Sequence, residues 1–279
     1  MGNLFTYTKF LEEKLDQNDE MTRSKELDLL SFIDLFKEHC TLYEFNNSNH
    51  FIFRGSKHTE PYLYVDPKKY NRASMGVGVH NYYTLIVDSS NIWSAYSKRS
   101  QSVIGINSKK IAEVYGNLYY IIPYDKTIFS VSPKNDFIFS FSYLNERKFD
   151  AIDFNEILKN FYQDIFKEKF NDENYKNFMK CMKRFDNVQD RKIIEKRMPK
   201  LKMFFMKELW NKFTHFNKKN LDFIDFLSFT VFNPKQNNFR LLAWENKLKI
   251  PKNKELWTDS ECLLVRYDYI NEVINKMKK

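Results

Sequence analysis

The chain has 279 residues, of which 43% are hydrophobic and 29% are charged, a composition that excludes a disordered protein and is typical of a globular one. Its formal net charge of +9 favours anionic partners such as nucleic acids, nucleotides or acidic proteins. The three cysteines are far apart and odd in number, and no apolar run reaches the roughly 18 residues that a membrane span requires. We therefore expect a cytoplasmic, intracellular protein without a disulfide framework, located in a host cell if its source is viral.

The N-terminal segment, residues 1–50, is predicted to be helical. Within it, Leu27, Leu30 and Phe36 follow helical spacing over residues 24–40, and Ser24 is a candidate N-cap. The first six residues also fit the M-G-x-x-x-[ST] pattern for myristoylation at Gly2, although an ordinary N-terminus fits it as well.

Residues 51–148 are predicted to form the first part of a β-rich core. Short β-branched or aromatic runs alternate there with Gly, Pro, Asn and Ser, and every glycine except Gly2 lies between positions 55 and 116. The predicted strands are 51–53, 62–65, 82–87, 102–106, 118–122, 127–131 and 136–143. Between two of them, residues 108–115 predict a short helix that ends at Gly116.

Residues 149–235 return to helical periodicity and form a helical block, and residues 236–279 complete the β core. The last part contains predicted strands at 239–244 and 262–265, followed by a helix at 269–277. This order predicts an α+β fold with N-terminal helices and a mixed or antiparallel β core, built from both ends of the chain around a helical insertion. The alternative is two consecutive domains that meet near residue 148.

The sequence lacks the standard catalytic motifs, since it contains no phosphate-binding loop, no G-x-G-x-x-G, no H-E-x-x-H and no G-x-S-x-G. Its five histidines share no metal-ligand spacing, so we expect no metal. The tripeptide Phe53-Arg54-Gly55 is more informative. An arginine at the end of an apolar strand presents a guanidinium suited to phosphate, and a following glycine lets a ligand approach the backbone. The alternative is an arginine that pairs with a core carboxylate.

Several segments follow this tripeptide in a recognisable order. They are Asn81 to Thr84, Lys98 to Ile104, Ile111 to Gly116, Leu118 to Pro123 and, near the C-terminus, Asn253 to Trp257. The set resembles the ADP-ribosyltransferase family, over roughly residues 51–131 and 239–266. The Phe-Arg-Gly opening is also similar to that of proteins grouped by an FRG motif, and the overall set looks phage-like. The chain departs from the family pattern at Gly105 to Ser108, where a Ser-Thr-Ser triplet is expected, and at Asn253, the first residue of the closing motif.

The resemblance implies a β core of the ADP-ribosyltransferase type and transfer of ADP-ribose from NAD, as substrate, to a protein or nucleic-acid acceptor. It assigns Glu255 and Arg54 to catalysis, with Glu255 opposing the positive charge that develops on the ribose. It assigns NAD binding to six residues: Arg54, Gly55, Tyr82, Tyr83, Ser102 and Ser108. For Glu255 a solvated surface position is the competing interpretation, and for the two tyrosines it is a half-buried strand face.

A second interpretation is a non-catalytic nucleic-acid-binding or structural protein, possibly viral, with a basic helical face. Within the helical block, Arg191, Lys192, Lys196 and Arg197 form a cluster that could contact phosphates. Such a run is more often a solvated helix face.

Overall fold

The computed structural model describes residues 24–45, 47–48, 51–69, 75–76, 79–80, 82–170, 175–200, 202–216, 221–246 and 250–278. Gly2, Asn81 and residues 1–23 of the segment 1–50 therefore lie outside the described residues. In the described part of that segment the predicted helix is found at Leu29–His39, and its N-cap is Asp28 rather than Ser24, which lies in a strand. The described part is mixed α+β, as the sequence predicts. None of the helices in these ranges is both long enough and apolar enough to cross a bilayer.

The strands belong to one large sheet and one small hairpin. The strands, in chain order, are β1 (Ser24–Glu26), β2 (Ile52–Ser56), β3 (Tyr62–Val65), β4 (Met75–Gly76), β5 (Val79–His80), β6 (Val103–Ile106), β7 (Asn117–Pro123), β8 (Ile128–Val131), β9 (Arg240–Ala243), β10 (Glu255–Thr258) and β11 (Cys262–Arg266). The large sheet has nine strands in the order β1-β3-β11-β7-β2-β6-β10-β8-β9, and β4 pairs with β5. The strand pairs in both are antiparallel.

The helices flank this sheet and fill the long connection between β8 and β9. The α-helices, in chain order, are α1 (Leu29–His39), α2 (Tyr82–Ser89), α3 (Lys109–Ala112), α4 (Ser142–Asn145), α5 (Ala151–Phe166), α6 (Tyr175–Asp186), α7 (Val188–Arg197), α8 (Phe204–Phe216), α9 (Phe223–Thr230) and α10 (Ile270–Met277). Helix α3 continues into a 3₁₀ turn, Glu113–Tyr115, which ends at Gly116 as predicted. We call residues 109–115 the α3 turn.

The three C-terminal strands lie inside the same sheet as the N-terminal ones. β10 pairs with β6 and β8, β11 pairs with β3 and β7, and β9 forms one edge next to β8. The prediction that one β core is built from both sides of the helical block is therefore confirmed, and the alternative of two consecutive domains is not.

Two apolar clusters meet at strand β10. Leu256 packs into a cluster formed mainly by the sheet together with α1 and α10, whereas Trp257 packs into a second, phenylalanine-rich cluster formed mainly by the helical block. Because successive strand residues point to opposite faces, β10 contacts both clusters at once. The helical block therefore covers the sheet on the face of Trp257.

Residues 82–87 were predicted as a strand, and this prediction is wrong because they belong to helix α2. All six side chains are buried, so the run shows no periodicity, and an uninterrupted apolar run does not separate a buried helix from a buried strand. The side chain of Asn155 accepts a hydrogen bond from the backbone N–H of Tyr83 at 3.0 Å and so satisfies a donor in the first turn of the helix.

Residues 136–143 were also predicted as a strand and instead form a 3₁₀ turn, Ile138–Ser140, and the start of α4. The cause is local. The carboxylate of Asp136 accepts a hydrogen bond from the N–H of Ile138 at 2.8 Å, and the carbonyl of Asp136 accepts one from the hydroxyl of Ser140 at 2.8 Å. Such side-chain bonds to nearby backbone favour a turn over an extended strand.

Candidate active site

Glu255 lies at the start of β10, and both of its carboxylate oxygens are engaged. Oε1 accepts a short hydrogen bond from Nη1 of Arg99, and Oε2 accepts one from the backbone N–H of Phe137 at 3.2 Å. The side chains of Arg99 and Glu255 are only 11% and 10% exposed. The competing interpretation of Glu255 as a solvated surface residue is therefore excluded.

Arg99 is held through its backbone and by two aromatic rings that contact its guanidinium group. The carboxylate of Asp88 accepts hydrogen bonds from the N–H groups of Arg99 and Ser100, at 2.7 and 2.9 Å. The guanidinium carbon lies 4.5 Å from the ring centre of Phe137 and 5.6 Å from that of Trp257. Burial alone would lower the pKa of Arg99, but the neighbouring carboxylate of Glu255 more than offsets this and raises it.

Asp136 brings a second carboxyl group to the same place. Burial, together with the negative charge of Glu255, raises the pKa of Asp136 to about 6, while the N–H of Ile138 and the charge of Arg99 act in the opposite direction. Asp136 directly precedes Phe137, whose N–H binds Glu255, so one loop positions both acids. Asp136 is partly exposed. The site therefore combines one guanidinium group with two carboxyl groups, of which one can exchange a proton near neutral pH.

The α3 turn covers the sheet next to these acids. Its last residue, Tyr115, is 40% exposed, and burial, followed by the charges of Asp136 and Glu255, raises its pKa to about 12. The turn packs against Gly55, where an added Cβ atom would lie 2.0 Å from the carbonyl oxygen of Ala112 and 2.8 Å from Cβ of Tyr115. The space over Gly55 is thus filled by the chain itself, which explains the glycine there without a ligand. We call Arg99, Tyr115, Asp136 and Glu255 the acidic cluster.

Arg54 and Glu255, the two residues assigned to catalysis, do not face the same side of the sheet. Glu255 lies opposite Ile106, and Ile106 lies opposite Phe53, so Glu255 shares a face with Phe53. The adjacent Arg54 points to the other face. Its guanidinium donates a hydrogen bond to the carbonyl of Ile104 at 2.9 Å, and the guanidinium that contacts Glu255 is that of Arg99.

Of the remaining residues predicted to bind NAD, Tyr83 lies near the acidic cluster. Tyr82, Ser102 and Ser108 are accounted for by packing or by their positions in the chain. Tyr83 is buried, and its ring stacks on that of Phe137 at 5.6 Å, next to Arg99 and Glu255 of the acidic cluster. Tyr82 is 1% exposed and stacks on Phe178 of the helical block. The hydroxyl of Ser102 donates to the carbonyl of Lys98, and Ser108 is the N-cap of α3 without a capping hydrogen bond from its side chain.

Of the four basic residues predicted to contact nucleic acid, two form hydrogen bonds within the helical block and two are exposed. Nε of Arg191 donates to the carbonyl of Phe185 at 3.2 Å, and Nη1 of Arg197 donates to the carbonyl of Ile165. Both arginines therefore bond to carbonyls of neighbouring helices, α6 and α5. Lys192 and Lys196 are exposed and leave a smaller positive surface than the sequence suggests.

Two members of the acidic cluster, Arg99 and Asp136, were not predicted as site residues. Arg99 lies in a segment that the family resemblance covers, but nothing in its neighbourhood in the sequence distinguishes it from Lys98. Asp136 was predicted to lie in a strand. Aspartate side chains often accept a hydrogen bond from the backbone N–H two residues ahead, as Asp136 does from Ile138, and this tendency was the one signal in the sequence for a turn.

Comparisons with known proteins return no match: no family model, no curated protein and no solved structure is significantly similar to this chain. Within the described ranges, no group of three or more His, Cys, Asp or Glu side chains is arranged to hold a metal ion. The functional argument therefore rests on the chemistry of the acidic cluster.

Proposed function

We propose that the chain is an ADP-ribosyltransferase-like enzyme that cleaves the bond between nicotinamide and ribose in NAD and transfers ADP-ribose to a macromolecular acceptor. The observation that carries the proposal is the fixed carboxylate of Glu255, which is oriented by Arg99 and by the N–H of Phe137 beside a second acid. A core of the ADP-ribosyltransferase type belongs to the same proposal.

Glu255 supplies the electrostatic part of the reaction. When the bond from C1′ of the ribose to nicotinamide breaks, the bonding electrons leave with nicotinamide and positive charge develops on the ribose ring. A preoriented carboxylate stabilises this charge more in the transition state than in the ground state, and this difference accelerates the step. Because Arg99 and the N–H of Phe137 already fix the side chain, little reorientation is needed during the reaction.

Asp136 supplies the proton transfer. An acceptor oxygen or nitrogen forms the new bond to C1′ and must lose its proton in doing so. A carboxyl group whose pKa is about 6 is largely ionised at neutral pH and can take that proton as a general base. The acceptor therefore approaches from the partly exposed side of the cluster, where Asp136 and Tyr115 lie.

The role that the resemblance assigns to Arg54, holding the phosphates of NAD, requires a cation on the face of Glu255. Arg54 lies on the other face and bonds to Ile104, so we assign Arg54 to positioning β6. Its contribution to turnover is expected to be indirect and to appear together with a loss of stability.

The test is release of nicotinamide from NAD by the purified chain, measured by chromatography with and without protein and nucleic-acid acceptors. Glu255→Gln preserves the size of the side chain and is expected to lower kcat by about 10²- to 10³-fold with little change in KM. The matched control is Glu261→Gln, since Glu261 binds the hydroxyl of Tyr64 away from the cluster. We expect the control variant to match the wild type.

Two results would contradict the proposal. A wild-type chain that neither binds nor cleaves NAD would leave the non-catalytic interpretation. Nicotinamide release that survives in Glu255→Gln and is lost in Glu261→Gln would move the catalytic carboxylate to Glu261. Far-UV circular dichroism of each variant separates both results from loss of the fold.

A further inference from the structure

A cavity of about 390 Å³ opens between the sheet and helix α10. Aromatic side chains form much of its lining, and a carboxylate and an amide are the polar groups, contributed by Phe45, Phe51, Tyr120, Tyr267, Asp268 and Asn271. This volume is in the range of cavities that hold small organic ligands, about 300 to 1,000 Å³, and such sites combine apolar walls with a few polar groups.

The cavity lies on the same face of the sheet as Glu255. The strand register places Glu255 opposite Ile106, Ile106 opposite Phe53, and Phe53 opposite Tyr120, and directly opposed residues share a face. Three strand spacings of about 4.8 Å separate the two ends of this row, so Tyr120 lies roughly 14 Å from Glu255. Two riboses joined by a pyrophosphate can bridge such a distance.

The α3 turn lies over β2 and β6, between the cavity and the acidic cluster. At one end of the turn, Nζ of Lys109 lies 3.8 Å from the ring centre of Tyr267, which lines the cavity. At the other end, Tyr115 lies close enough to Asp136 and Glu255 for their charges to raise its pKa. Lys109 also forms an exposed ion pair with Glu113, at 3.5 Å, and pairs of this kind are weak. The ammonium group of Lys109 therefore places a positive charge at the rim of the cavity, on the side of the α3 turn.

We propose that this cavity binds the adenine ring of NAD, with Lys109 next to the phosphates, an inference that rests on the proposed function. The amide of Asn271 offers a donor and an acceptor, the pair that Asn uses to recognise the N6 and N7 edge of adenine. The carboxylate of Asp268 accepts a second hydrogen bond from the exocyclic amine. Uracil has no exocyclic amine and does not present this combined pattern, so the cavity favours an adenine over a uracil nucleotide.

The test compares two substrates that carry the same reacting bond. Nicotinamide mononucleotide contains the nicotinamide–ribose bond but lacks the adenylate half. Asn271→Ala is expected to raise KM for NAD by about 5- to 100-fold and to leave KM for nicotinamide mononucleotide unchanged. Lys109→Gln is expected to raise KM for NAD by a smaller factor. The control variants are Asn275→Ala, on the same helix, and Lys110→Gln, the next lysine of α3.

Binding of AMP, measured by calorimetry on the same variants, separates this inference from the proposed function. If the chain binds AMP more tightly than UMP, and Asn271→Ala removes that preference, the cavity is an adenine site even where neither substrate is cleaved. If both substrates are cleaved but Asn271→Ala changes neither KM nor AMP binding, the adenine site is refuted and the proposed function stands. Asn271 is an exposed helix residue, and alanine favours helix there, so loss of the fold does not obscure the result.

Discussion

The two halves of the nine-stranded sheet differ in what they bury. Across β3, β11, β7 and β2, the register aligns Leu63, Leu264, Ile121 and Ile52 in one row, and each of these side chains is at most 3% exposed. Around β10, the sheet instead buries the ion pair between Arg99 and Glu255. The first half gains stability from apolar contacts, whereas the second takes charges out of water.

This difference supports the proposed location of the active site. Replacing a buried ion pair by apolar residues is often neutral or stabilising, so such a pair is weak support for stability alone. Proteins usually bury apolar side chains and keep charges exposed, and departures from this pattern occur mainly at functional sites. We therefore call the strands β3, β11, β7 and β2 the apolar half and the surroundings of β10 the charged half, and expect substitutions in the two halves to have different signatures.

The largest expected effect is in the charged half. Arg99→Met leaves the carboxylate of Glu255 buried without its cation, and we expect the free energy of unfolding to fall by about 3 to 5 kcal/mol. Urea denaturation followed by circular dichroism measures it. The matched control is Arg240→Met, an exposed arginine in the edge strand β9 of the same sheet, which should change stability by no more than about 0.5 kcal/mol. Equal losses in the two variants would contradict the contrast between the halves.

The second effect is a dependence of stability on pH that arises from Asp136. Because the pKa of Asp136 is raised to about 6 in the folded state, the folded protein binds more protons than the unfolded chain between about pH 4 and pH 6. Stability should therefore decrease as pH rises through this window, by on the order of 1 to 3 kcal/mol. Asp136→Asn removes the part of this decrease that comes from Asp136.

The control for the pH experiment is Asp186→Asn. Burial raises the pKa of Asp186 to about 6 as well, although Asp186 belongs to helix α6 rather than to the acidic cluster. Each variant should reduce the slope of the unfolding free energy against pH by the contribution of its own carboxyl group. The two contributions should be additive because the two sites are independent. An unchanged slope in Asp136→Asn would show that this carboxyl group does not titrate as described.

The last effect concerns packing between Gly105 of β6 and the neighbouring apolar half. A Cβ atom at Gly105 would lie 2.4 Å from Cδ1 of Ile121 and 2.6 Å from Cγ2 of Ile52, so Gly105→Ala should destabilise the protein by about 1 to 3 kcal/mol through overpacking. Ile121→Val removes the Cδ1 atom, and by itself should cost about 0.5 to 1.5 kcal/mol. The double variant should then be more stable than the sum of the two losses predicts. Strict additivity would contradict this account of the core.

The same contrast explains how much could be predicted from the sequence. The strands of the apolar half alternate with clear turn residues, and 62–65, 118–122 and 262–265 were located to within one or two residues at each end. The run 82–87 was misassigned because it is buried on every side, and the run 136–143 because its turn depends on one side-chain carboxylate. Local sequence patterns do not distinguish such a helix or turn from a buried strand.

The candidate site was predicted in part. Glu255 was assigned from the family resemblance, and the structure places it at the acidic cluster. The assignment of Arg99 as its partner requires knowledge that β6 and β10 are neighbours, a pairing between residues about 150 positions apart. Arg54 was the more conspicuous arginine because a glycine follows it, but the alternation of side chains along β2 directs it to the opposite face.

The most direct test of the central claim, that the charged half is retained for chemistry rather than for stability, is the double variant Arg99→Met/Glu255→Gln. Glutamine can still accept the hydrogen bond from Phe137, and neither new side chain carries a charge. We expect the free energy of unfolding to recover to within about 1 kcal/mol of the wild type, while nicotinamide release from NAD falls by at least about 10²-fold. A double variant that is no more stable than Arg99→Met, or one that releases nicotinamide at the wild-type rate, would contradict the claim.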